Sequence, residues 1–93
     1  MEKDEKLYSL RKTIDSIDTD IIKLIAKRMQ TAQEIGEYKK KYKLPVFDSA
    51  RWHDVLKNRI AEAKKRKIAA GVIEDIWDIL HKEALEVEKG NST

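Results

Sequence analysis

Cysteine is absent from the 93 residues, so neither a disulfide framework nor a thiolate metal site is available to this chain. Proline occurs once, at Pro45, and glycine three times, at Gly36, Gly71 and Gly90. So few breakers leave little room for the turns of a β-rich fold and point to an all-α chain. No apolar run approaches the roughly 20 residues that a membrane span requires. An excess of one charge sign is also missing: Lys and Arg total 20 against 17 Asp and Glu, a formal charge of +3. Charged residues nonetheless make up 40% of the sequence, a composition that reads as a solvated helical surface and not as a polyanion-binding face. The basic clusters "KKKYK" (Lys39 to Lys43) and "KKRK" (Lys64 to Lys67) come without a nucleic-acid recognition motif, so no nucleic-acid partner is expected. The charged opening "MEKDEKLYSL" is unlike a secretion signal, and a cytoplasmic location is expected. Without such a signal, the N-x-S/T triplet in the tail "GNST" reads as chance.

What is present is a long apolar stripe. Leu7, Leu10, Ile14, Ile17, Ile21 and Leu24 recur in alternating steps of three and four, the a/d seam of a helix that packs on another helix. Arg28 occupies the next a position, and the seam resumes at Ile35, Tyr38 and Tyr42. A guanidinium within a buried stripe requires an anion.

Three helices are expected within a single domain over residues 1–93, with an ordered core of about 6–89. The first spans about Lys6 to Tyr42 and is broken by "LPVFD"; the second, with Asp48 as N-cap, spans about Ser49 to Arg66. The third, about Ala70 to Lys89, carries Ile73, Ile76, Trp77, Leu80, Ala84 and Val87 at helical spacing. At ~1.5 Å per residue the first helix would be about 55 Å long, more than two short helices of one chain can cover. An intertwined homodimer, in which the long helices of two chains pack together, is the expected assembly.

Other cations can be placed around Arg28. Lys39 lies eleven residues on, so at ~100° per residue both project from one face about 16 Å apart, leaving room for a small dianion between them. Arg11, seventeen residues before Arg28, is about 25 Å away and rotated off that face, so it can join only from an antiparallel partner chain. Each cation also has a plainer reading. Lys39 opens a lysine-rich run, Arg11 has Asp15 at i+4, and Arg28 could snorkel to Glu34 or Asp20. The two histidines, His53 and His81, stand at no metal-ligand spacing, and no metal is expected.

The stretch "LYSLRKTIDSIDTDIIKLIAKRMQTAQEIGEYKKKYKLPVFDSAR" resembles the N-terminal two thirds of the all-helical chorismate mutases. Those enzymes carry L-R-x-x-I-D-x-I-D, then A-x-R, then I-G-x-x-K, then P-V-x-D-x-x-R. The resemblance implies an intertwined all-α dimer that converts chorismate to prephenate, on the way to phenylalanine and tyrosine, without metal or organic cofactor. It further implies that Arg28, with Arg11 of the other subunit, binds the two carboxylates of chorismate. Lys39 would donate to the ether oxygen of the breaking bond, and Asp48 and Arg51 would border the substrate.

Three positions depart from the pattern of that family. Trp52 follows Arg51 where a glutamate usually accepts from the substrate hydroxyl, and Ala84 stands where a small hydroxyl residue often lies. Glu88 replaces the usual glutamine, whose amide donates to the ether oxygen. An ionised carboxylate has no proton to donate, so Glu88 would have to be protonated when it meets that oxygen. The glutamate missing after Arg51 opens an alternative of the same fold, the isochorismate-pyruvate lyases. A non-catalytic helical dimerisation or regulatory module, partnered with another enzyme of the shikimate pathway, is the alternative from a different class.

Overall fold

The computed structural model describes residues 2–90; Met1 and the Asn91–Thr93 triplet lie outside them. Three helices and no strand are found among the described residues: α1 (Glu2–Lys41), α2 (Ser49–Lys65) and α3 (Ala70–Lys89). No helix is long and apolar enough to cross a membrane among these residues. Helix α1 begins four residues before the expected Lys6, since Asp4 and Glu5 favour the positive end of the helix dipole even though no apolar residue marks the turn. Helix α2 ends one residue short of Arg66, which serves as its C-cap, and α3 has the expected bounds.

Contacts divide the chain into two compact units, Met1–Gln30 and Thr31–Thr93. The described part of the first unit is helical throughout. Thr13 and Thr19 return their hydroxyls to the carbonyls of Ser9 and Asp15 one turn back, and the Lys12 ammonium lies over the Tyr8 ring. Its apolar seam is exposed: Leu7, Leu10, Ile14, Ile17 and Ile21 retain 46–56% of their accessible surface.

In the second unit, α2 and α3 pack together. Val55 and Ala63 of α2 are buried, as are Ile73, Ala84 and Val87 of α3 and Ala32 of α1. Small side chains allow close approach, and one such approach is at Gly36, which is itself buried. A Cβ there would sit 2.5 Å from the carbonyl oxygen of Glu88 and 2.6 Å from its Cα. Glycine inside a helix costs roughly 0.5–1 kcal/mol relative to alanine, and this approach of two backbones is what the absent side chain permits.

The helix ends use local chemistry. Lys43 (φ 55°) and Lys67 (φ 61°) take the left-handed conformation just past α1 and α2. At α1 the Leu44 N–H donates to the Lys39 carbonyl and the Lys43 N–H to that of Lys40; at α2 Ile68 donates to Ala63 and Lys67 to Lys64. Both are Schellman motifs with an apolar residue following the left-handed one, but with lysine where glycine is usual. Asp48 caps α2, its Oδ1 accepting from the Arg51 N–H at 3.0 Å. Gly90, at φ 83°, closes α3.

Candidate functional site

Lys39 stands in the last turn of α1, and its backbone and side chain both organise the connector that follows. The carbonyl takes the Leu44 N–H at 2.8 Å, turning the chain, and the ammonium donates to the Val46 carbonyl at 2.6 Å two residues beyond. The same ammonium donates to Glu88 Oε1 at 2.7 Å, joining the end of α1 to the last turn of α3. The two side chains keep only 20% and 11% of their exposure, so this ion pair is largely shielded from water. Charge-assisted bonds are strongest in such surroundings. Three features of negative character converge on one cation: a carboxylate, a loop carbonyl and the C-terminal end of a helix. An ammonium has three protons, and two are used here.

An aromatic wall belongs to the same unit. The Trp52 indole of α2 and the His81 imidazole of α3 are stacked, centroids 3.9 Å apart and planes 13° from parallel. Phe47, next to the Val46 that Lys39 holds, also meets His81, ring centroids 5.8 Å apart. On α3, His81, Ala84 and Glu88 follow at steps of three and four, so they share one face of the helix. Ala84 is buried in the α2–α3 core, whereas Arg51 is exposed and Asp48 is occupied as the cap of α2.

Among the candidate residues, then, Lys39 and Glu88 meet directly, and Trp52 lies in the same unit, stacked on His81. Arg11 and Arg28 belong to the N-terminal unit, Arg11 exposed and Arg28 half-buried. Among the described residues no three His, Cys, Asp or Glu side chains gather at metal-holding distance.

Sequence reasoning did not find the Val46 carbonyl, the Trp52–His81 stack or the contact of Gly36 with Glu88. A backbone acceptor carries no residue-type signal, and the stacked rings lie 29 positions apart. Gly36 did carry one, since a glycine inside an otherwise continuous helical pattern calls for a packing reason.

Three helices and no strand among the described residues, with a shielded lysine–glutamate couple and a stack of aromatic rings in one unit, define an all-helical protein. Which helical family this is follows from comparison with known proteins. The family model for chorismate mutase type II matches residues 10–89, and the chain belongs to that family. It is similar to the T-protein of Haemophilus influenzae (39% identical over 72 residues, 77% of this chain and 19% of that protein). It is also similar to the T-protein of Enterobacter agglomerans (34% over 90 residues, 95% of this chain and 24% of that protein). The chorismate mutase of Methanocaldococcus jannaschii is 35% identical over 85 residues, covering 88% of this chain and 85% of that protein. The chain thus spans about a fifth to a quarter of the two T-proteins and most of the third relative. No solved structure matches it.

Proposed function

We propose that this chain is a chorismate mutase, an intramolecular isomerase that converts chorismate to prephenate in aromatic amino acid biosynthesis, residues 1–93 acting as one catalytic domain in the cytoplasm. The observation that carries the reading is the shielded Lys39–Glu88 couple at 2.7 Å in a chain of this family. The reaction is a [3,3] rearrangement: the ether carbon–oxygen bond breaks as a carbon–carbon bond forms, with no nucleophile, no net proton transfer and no electron acceptor. An enzyme accelerates it by holding the compact conformer of the substrate and by stabilising charge that grows on the ether oxygen. The remaining proton of the Lys39 ammonium is suited to that oxygen, with Glu88 alongside. Arg28, and Arg11 from a second copy of the chain, would bind the two carboxylates, while Asp48, Arg51, Trp52 and Ala84 would border the substrate.

The homodimer is part of this reading. It is supported by the exposed seam of the N-terminal unit, where five large aliphatic side chains retain about half of their surface. A face of that kind calls for cover, and a second α1 carries the matching stripe.

The experiment is an assay of chorismate consumption with identification of the product. Prephenate is expected. No turnover of chorismate would overturn the reading, and release of pyruvate and an aromatic acid when isochorismate is supplied in its place would move the chain to the lyases.

A further inference from the structure

Gly36 touches the site without having a side chain to put into it. The backbone of α1 at Gly36 lies against Glu88, so close that a Cβ would come within 2.5 Å of the Glu88 carbonyl oxygen, 2.6 Å of its Cα and 2.9 Å of its carbonyl carbon. All three are backbone atoms in the last turn of α3 and cannot swing aside as the tip of a side chain would. One helical turn beyond Gly36, on the same side of α1, Lys39 reaches the carboxylate of the same residue at 2.7 Å. The approach at Gly36 and the ion pair are thus two contacts between the same short pieces of helix, one made by backbone and one by side chains.

We infer that Gly36 is a positioning residue for the chemistry: by leaving room for the Glu88 backbone, it sets how far the Glu88 carboxylate stands from the Lys39 ammonium. The inference rests on the chorismate mutase reading. Alanine at position 36 must push the end of α3 away from α1 until its Cβ reaches van der Waals distance, a displacement of about 1 Å. Lys39 rides on α1 with Gly36 and keeps its bond to the Val46 carbonyl. What changes is the place of Glu88 relative to Lys39 and to the ether oxygen that both would meet. Misplacement of about 1 Å at a reacting centre costs on the order of 10²-fold in rate.

The test is a double-mutant cycle on chorismate turnover with the full chain, using Gly36→Ala, Glu88→Ala and the double variant, each checked for helicity and association state. Gly71→Ala serves as the control, because a Cβ there meets nothing within 4 Å. Gly36→Ala is expected to lower kcat by about 10- to 100-fold with a smaller change in KM. In the Glu88→Ala background the same change should cost less than about twofold, because the group it displaces has been removed. A purely structural glycine would lose the same factor in both backgrounds, and that additive result overturns the inference, as does full activity in folded Gly36→Ala. If Gly36→Ala does not fold, Glu88→Asp decides: it withdraws the carboxylate by about one bond without crowding either backbone, and unchanged turnover then overturns the inference. A parent inactive on chorismate would instead strike at the function reading itself.

Discussion

At the scale of the residue, Glu88 is asked to do two things that need different protonation states. Against Lys39 it accepts a hydrogen bond at 2.7 Å as a carboxylate, but a carboxylate can only accept, and donation to the ether oxygen requires the acid form. In the proposed mechanism the form that can donate is therefore the productive one. The ionised form would face growing negative charge with a charge of the same sign. Glu88→Gln keeps both bonds, its carbonyl accepting from Lys39 and its amide donating to substrate, so it should retain turnover. Removing the group in Glu88→Ala should cost about 10²- to 10³-fold in kcat, the usual worth of one donor aimed at a developing oxyanion. Turnover unchanged in Glu88→Ala would place Glu88 outside the chemistry.

At the scale of the element, the helices are delimited by end chemistry more than by composition. Pro45 follows closely on the end of α1, Asp48 caps α2 and Gly90 closes α3. Strain is concentrated where the two Schellman turns use lysine: an L-residue with a side chain in the left-handed region costs roughly 1–2 kcal/mol. Lys67→Gly relieves that cost at a turn away from the Lys39–Glu88 couple, offset in part by the greater freedom of glycine in the unfolded chain. A net gain of about 1 kcal/mol is expected in denaturant unfolding at fixed protein concentration, with turnover unchanged. A loss of stability would mean that the Lys67 side chain makes a contact worth more than the strain. The start of α3 is less well provided, since Ala69 occupies its N-cap with no side-chain hydrogen bond to the first turn.

At the scale of the whole molecule, the imbalance is between apolar surface and cover. Buried apolar side chains among the described residues are confined to Ala32, Val55, Ala63, Ile73, Ala84 and Val87, three of them alanine, while Leu24, Ile22 and Ile79 keep about two thirds of their surface. A small chain with so modest a core is marginal alone. Association through the α1 seam would make its stability depend on mass action, so the unfolding midpoint should rise with protein concentration. Sedimentation should find a dimer at micromolar concentration. A monomer whose midpoint does not move with concentration would remove the partner chain that the proposed role of Arg11 needs.

The sequence by itself determined the helical class, the three elements to within a few residues and the apolar stripe along α1. Each of these is encoded locally: Leu7 to Leu24 by their spacing, the second helix by Asp48, the third by Ile73 to Val87 and the glycine that follows. The motifs "LRKTIDSID", "AKR", "IGEYK" and "PVFDSAR" also carried the family. Only the tertiary structure decided that Lys39 bonds Glu88, 49 positions away, and the Val46 carbonyl, that Trp52 lies on His81, and that Gly36 is where two backbones nearly touch. Periodicity tells which side of a helix faces inward, but not which residue of another helix waits there. That is settled by how closely the helices can pack, and here the approach is set by a hydrogen atom in place of a side chain.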